Sequence, residues 1–260
     1  MSDYIMPREN FDELYFSKTD EKQILAYELR KIFNDRVYGQ VLDVGPGPGE
    51  ITQLINSHAI HLTLVEPETD YHDGLKDHFP KAKIIPRRYE AHDLDNCYDL
   101  IFISHALYFI SKDRWLPTCK KSFDALNKGG QLIIVLNDHE KTELGKLMKR
   151  YSCLEEHCRW NYIPLDEFEE QLRRFGSVTS TTYSYTVVLN DRNEFTDAVL
   201  RVVLDLDSEE LIEEYKPDVE EVAEDFKRED GRYAISAEAR IIVVSAYPPP
   251  ILKAIGQLAT

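Results

Sequence analysis

A strand-like run, Val41-Leu42-Asp43-Val44, passes directly into Gly45-Pro46-Gly47-Pro48-Gly49 and then into the helix-prone Glu50-Ile51-Thr52-Gln53-Leu54. Strand, glycine turn and helix in that order open a sheet that binds nucleotides at its carboxyl edge. Glycine permits φ > 0 and lets backbone amides approach a ligand where a Cβ would clash. The prolines narrow the choice of ligand. Pro46 and Pro48 carry no N–H, so they remove donors that a pyrophosphate would need. The spacing misses G-x-G-x-x-G and no G-K-[S/T] follows, so neither a dinucleotide fingerprint nor a Walker loop is present. The turn suits a cationic ligand better than a phosphorylated one.

Around this turn, apolar runs of strand length alternate with helix-period segments, the pattern of a parallel sheet covered on both faces. Strands are predicted at Gln40–Val44, His61–Glu66, Lys83–Pro86, Leu100–Ser104 and Gln131–Leu136. Helices are predicted near Ser17–Asn34, Glu50–His58, Asp70–Phe79, Arg114–Leu126 and Lys141–Tyr151. Asn127-Lys128-Gly129-Gly130 reads as a helix stop and turn before the very apolar Leu132-Ile133-Ile134-Val135, a strand buried on both faces. The rhythm then changes. Ser177–Leu189 and Arg240–Ser245 read as strands that pair antiparallel, separated by acidic helical segments from Arg192 to Glu229 that form a cap. The expected fold is α/β: a doubly wound, mostly parallel Rossmann-like sheet with an antiparallel last strand and a helical cap. A chain of 260 residues can hold it as a single domain, with core at about 17–190 and 239–248, an N-terminal lid at about 1–16 and a cap insertion at about 191–238. The lid reading rests on Tyr4, Phe11, Tyr15 and Phe16.

Glu66 closes Leu62-Thr63-Leu64-Val65, which puts a carboxylate at the carboxyl end of the neighbouring strand, where it can accept from both hydroxyls of a ribose. Asp43 sits just before the glycines. A ligand with an adenosine ribose at one end and an ammonium and sulfonium at the other satisfies both carboxylates, and S-adenosylmethionine is such a ligand. The same residues would also serve a plain tight turn and an exposed strand end.

VLDVGPGPGEIT, LTLVEPE, YDLIFISHALYFI and LNKGGQLIIV together resemble, in order and spacing over about residues 17–150, the motifs of the class I S-adenosylmethionine-dependent methyltransferases. That resemblance implies a cofactor site in which Gly45, Pro46 and Gly47 line the methionine moiety and Glu66 with Pro67 faces the ribose. It implies Glu90, Ala91 and His92 near the adenine, and Ser104 with His105 on the methyl-bearing side. The stretch from Ser104 to Phe109 is also similar to the strand end of histamine N-methyltransferase-like small-molecule methyltransferases, as is Thr19-Asp20-Glu21-Lys22-Gln23 to the entry of their first helix. By that likeness Glu21, His105 and Tyr108 carry the catalytic roles, and Tyr15, Glu21, His105, Phe109 and Glu238 contact the acceptor. The chain departs from the pattern. The family's acceptor-site asparagine falls near Ala237, beside Glu238, and its paired tryptophans fall near Leu144 and Met148, which argues against histamine itself. Structural roles compete with these: a strand-end histidine satisfied by a carbonyl, and core packing for Tyr108 and Phe109.

The reaction implied is methyl transfer to a small amine- or imidazole-bearing acceptor, an in-line displacement that needs alignment more than acid–base machinery. Two other readings use the same motifs: cleavage or cyclisation of S-adenosylmethionine with release of methylthioadenosine, and cofactor binding without catalysis. The net charge of −16 disfavours nucleic acid and anionic membranes as partners and steers cations in. No apolar run is long enough to span a bilayer and Met1-Ser2-Asp3-Tyr4 does not open a secretion signal, so a cytoplasmic monomer or homodimer is expected. Cys97, Cys119, Cys153 and Cys158 lack C-x-x-C spacing, which points to free thiols. Asn137 and Asp138 lie where catechol-type relatives hold a metal, but the fourth strand offers Ser104 in place of a carboxylate, so no metal is expected.

Overall fold

A computed structural model describes residues 17–94, 97–152, 154, 163–206 and 208–246. Its centre is a seven-stranded sheet ordered β3-β2-β1-β4-β5-β7-β6. The strands are β1 (Tyr38–Val44), β2 (Ala59–Val65), β3 (Lys83–Ile85), β4 (Tyr98–Ser104), β5 (Leu126–Asp138), β6 (Ser177–Leu189) and β7 (Tyr233–Ser245). β1 to β5 pair in parallel, whereas β7 pairs antiparallel with both β5 and β6. The doubly wound sheet with an antiparallel strand is therefore as expected. The chain reverses direction across the sheet between β1 and β4, and the crevice at such a switch point is where open α/β sheets bind ligands.

Alternation along the strands builds two cores. Leu42, Val44, Ile101, Ile103, Ile134 and Leu136 face one side, and Val41, Leu100, Phe102, Ile133 and Val135 the other. The first face is covered by α4 (Lys112–Asp124) and α6 (Leu165–Leu172), where Trp115 meets Phe168 edge-on with ring centroids 5.6 Å apart. The helix Leu165–Leu172 is absent from the sequence-level assignment. The second face carries α1 (Glu21–Phe33), α2 (Glu50–Ser57), α3 (His72–His78) and α5 (Glu143–Arg150).

α1 buries one residue per turn, Glu21, Leu25, Leu29 and Phe33. Three apolar side chains at i, i+4 spacing fix that stripe against the sheet, and the same spacing carries the Glu21 carboxylate inward at the top of it. The approach to α1 is stitched to β6: the Val188 N–H donates to the Lys18 carbonyl over 2.8 Å and the Thr186 N–H to Asp20 Oδ1 over 3.1 Å.

Two boundaries differ from expectation. Asn127–Gly130 is not a free turn but the irregular start of β5. The register steps from Tyr98↔Leu126 to Leu100↔Gln131, and the slack is taken up with Gly129 at φ +79°. β7 begins at Tyr233, inside the segment assigned to the cap, because Tyr233, Ile235 and Ala237 are buried partners of Leu189, Val187 and Tyr185. The cap itself consists of α7 (Arg192–Asp197), a π-helical turn (Ala198–Val203), α8 (Glu209–Val222) and a 3-10 turn (Ala223–Phe226).

Candidate functional site

A cleft of about 820 Å³ opens at the carboxyl ends of β1, β2 and β4, under the π-helical turn of the cap. Its cofactor-like half is local in sequence. Gly45 stands at φ +66° and an added Cβ would meet the Ala106 Cβ at 2.8 Å, so the turn after β1 packs directly on the turn after β4. Gly47, at φ +55°, has nothing within 4 Å of where a Cβ would stand, and its N–H donates to Glu66 Oε2 over 3.0 Å. The Glu68 N–H holds the other oxygen of Glu66 over 2.9 Å. Burial raises the Glu66 carboxyl above its ordinary value while these two backbone donors pull the other way. Asp43 is buried and accepts from Thr52 Oγ1 over 2.7 Å. Burial pushes its carboxyl up to about 7, the Thr52 hydroxyl opposes, and the nearby Glu66 charge adds to the rise. Among the described residues, the Ser104 hydroxyl is buried in the structure with no hydrogen-bond partner.

The other half is assembled from distant segments. Glu21 Oε1 accepts from the Tyr183 hydroxyl over 2.8 Å and, in the tautomer protonated at Nε2, from His105 over 3.0 Å. Lys22 Nζ reaches Glu21 Oε2 at 3.2 Å. Burial works to raise the Glu21 carboxyl, but His105 and Lys22, with the hydrogen bonds from His105 and Tyr183, outweigh it and hold Glu21 well below the usual carboxylate range. Glu21 is thus an ionised, buried carboxylate. His105 has φ +53°, the left-handed region that a non-glycine residue enters only when its surroundings require it. Its Nδ1 lies 3.4 Å from the Tyr108 hydroxyl, which accepts from the Asn137 N–H; Asn137 Oδ1 in turn accepts from the Tyr185 hydroxyl over 3.0 Å. His139 is buried beside this group, and burial lowers its imidazole to about 4. Leu144, Met148, Tyr185 and Val202 add apolar wall.

The family model for the methyltransferase domain matches residues 16–179. The chain belongs to that family. Solved structures agree on the fold. The YcgJ protein from Bacillus subtilis superimposes with a TM-score of 0.62 at 12% identity, covering 86% of this chain and 98% of its own. A SAM-dependent methyltransferase from Archaeoglobus fulgidus gives 0.53 at 16% identity, with 86% and 94% covered. The N-methyltransferase NodS from Bradyrhizobium japonicum gives 0.50 at 10% identity, with 84% and 95% covered. Curated proteins return no match.

S-adenosylmethionine is the methyltransferase cofactor, and the residues present fit it. Gly47 leaves open space at the turn, the Ser104 hydroxyl is unsatisfied, and Glu66 and Asp43 offer carboxylates to a ligand that carries positive charge. When bound, the cofactor supplies an electrophilic methyl group on a sulfonium. The chain's own groups bind it, orient the acceptor and shed water from the cleft.

Most sequence-predicted residues converge here. Glu21, Asp43, Gly45, Pro46, Gly47, Glu66, Pro67, Glu90, Ser104, His105, Tyr108 and Phe109 all line the cleft. Tyr15, with the rest of the N-terminal lid reading, lies outside the described residues. Three of the expected residues stand off the cleft lining. Ala91 and His92 do not line the cleft: buried Tyr89 bonds Ser122 Oγ over 2.7 Å and Lys121 clamps the Tyr89 and His92 carbonyls, which turns the chain toward α4. Glu90 stays at the cleft, with Arg88 Nε donating to it over 2.7 Å. Glu238 is the third. Buried Ala237 and Ala239 belong to the core on the Tyr185 side, so strand alternation turns Glu238 to the opposite face, where Ser184 Oγ lies 3.5 Å away. Lys22, Thr52, Asn137, His139, Tyr183 and Tyr185 were not picked out for roles here. Only the i, i+2 pair Tyr183 and Tyr185 left a trace, as aromatics alternating along a strand. Among the described residues no group of three His, Cys, Asp or Glu is arranged to hold a metal, and no helix is long and apolar enough to cross a membrane.

Proposed function

We propose that this methyltransferase moves a methyl group from S-adenosylmethionine to a small acceptor bearing an amine or imidazole. One observation carries the reading: a buried, ionised Glu21 faces the same cleft as Asp43 and Glu66, beside His105 and under apolar wall from Leu144, Met148 and Tyr185. A buried carboxylate is stable only with cationic or hydrogen-bonding partners, and a cationic acceptor is a partner of that kind. His105 orients the carboxylate through its Nε2–H. Tyr108 and Phe109 border the same space, with Phe109 exposed at the mouth. The net charge of −16 draws cations toward the cleft.

The test is incubation with S-adenosylmethionine and a panel of biogenic amines, imidazoles and basic amino acids, read by mass spectrometry. S-adenosylhomocysteine together with a methylated amine is the expected result. Transfer only to hydroxyl, thiol or carbon acceptors would refute the amine assignment. Methylthioadenosine without added acceptor would replace transfer by cleavage of the cofactor.

A further inference from the structure

Asp43, near the end of β1, is buried and lines the cleft, and only one of its oxygens is engaged by the protein. Oδ2 accepts from the Thr52 hydroxyl of α2 over 2.7 Å, while Oδ1 takes no hydrogen bond among the described residues. Its surroundings do little to support a charge. On the β4 side its register partner is Phe102, and just past β2 a second carboxylate, Glu66, adds a like charge. Lys22 of α1 acts in the opposite sense. Arg88 and Arg201 also line the cleft, but Glu90 holds the first over 2.7 Å and Glu209 the second through two bonds of 2.6 and 3.0 Å. Burial dominates these influences and takes the Asp43 carboxyl up to about 7. Glu66 is supported differently, by the backbone donors of Gly47 and Glu68 on its two oxygens.

We infer that Asp43 carries a proton in the free protein and gives it up when S-adenosylmethionine binds, so that cofactor and proton compete for one carboxylate. The O–H bond of the Asp43 carboxyl breaks, the proton leaves to solvent, and the carboxylate is left to face the cofactor's positive charge; no bond of the cofactor changes. The exchange follows from charge balance. A buried carboxylate with a single neutral donor and a like charge nearby keeps its proton, and a ligand that brings positive charge removes the reason to keep it. Once ionised, Asp43 offers Oδ1 as a charge-assisted acceptor that the protonated form lacks. Cofactor loading therefore rises with pH up to neutrality and levels off above it. The exchange is independent of which acceptor the cleft takes.

Calorimetry of S-adenosylmethionine binding to the full chain, in paired buffers of unlike ionisation heat, counts the protons released. About one proton is expected at about pH 6 and almost none at about pH 8.5, with affinity rising about tenfold per pH unit below neutrality and flat above it. Asp43→Asn should bind with neither release nor slope. No release by the parent at about pH 6 overturns the inference, and so does release that persists in Asp43→Asn, which would assign the proton to another group. Carbon-13 titration of the Asp43 carboxyl, its signal identified by loss in Asp43→Asn, reads the same proton without relying on the variant's affinity. A midpoint of about 7 in the free chain should move to the acid side on saturation with S-adenosylmethionine. A midpoint that stays in place on saturation, or one already at the ordinary Asp value in the free chain, overturns the inference as well.

Discussion

The two halves of the cleft are built in opposite ways. The glycine turn, Asp43, Thr52 and Glu66 lie within 43–66, on β1, on the turn and α2 that follow it and just past the end of β2, so a single stretch of chain specifies them. The half that we propose for the acceptor joins Glu21 to His105 and Tyr183, 84 and 162 residues away. The halves also treat their carboxylates in opposite senses. Burial with one hydroxyl donor leaves Asp43 raised to about 7, whereas burial with an imidazole, an ammonium and a phenol drives Glu21 down. Desolvation acts on both; the company each keeps decides the sign.

The largest effect that would break this comparison is on turnover. Glu21→Gln and His105→Ala should each lower kcat/KM by about 10²-fold or more through lost charge-assisted contacts and positioning, while S-adenosylhomocysteine affinity moves little by calorimetry. A drop in cofactor affinity instead would show that the halves are not separable. Glu66→Ala should do the reverse, weakening cofactor binding by about tenfold to a hundredfold, the value of hydrogen bonds to a charged group. Unchanged affinity would remove Glu66 from the cofactor half.

A smaller effect concerns stability against pH. Folded Asp43 binds its proton more tightly than the unfolded chain does, so between about pH 3.8 and about 7 its contribution falls as pH rises. Asp43→Asn should therefore gain on the parent by roughly 1–3 kcal/mol as pH climbs through that window, read from urea midpoints. Glu21 runs the other way. Its folded carboxyl is depressed, so its contribution is complete above the ordinary carboxylate value and is lost as pH falls below it; Glu21→Gln should cost most at neutral pH and converge on the parent in acid. The smallest effect is expected of Glu238→Ala: on the far face of β7, it should leave KM for any amine within about twofold.

Legibility in the sequence follows the same divide. The sheet, its order of elements and the cofactor turn could be read because each depends on near neighbours: period-2 apolar runs, a glycine that must sit at positive φ, a carboxylate closing a strand. Glu21 was also within reach, since it heads the stripe Leu25, Leu29, Phe33. Its partner Tyr183 was not, because nothing local tells which face of a distant strand will lie over which helix. Glu238 stands off the cleft for a similar reason: one position along β7 reverses the side chain, and the buried Ala237 is the residue that shares the face of Tyr185. Ala91 and His92 follow a buried phenol, Tyr89, whose bond to Ser122 no local pattern announces.

The strand order carries one more consequence, in the time domain. β6 reaches the sheet only through β7, which lies between it and β5, yet β7 follows it in the chain by more than 40 residues. Glu21 and Tyr183 stand 162 residues apart on elements that the chain makes early and late, so the floor they share depends on contacts of long sequence separation, a slow kind to form. A nascent chain would hold its whole glycine turn well before it could join Glu21 to Tyr183.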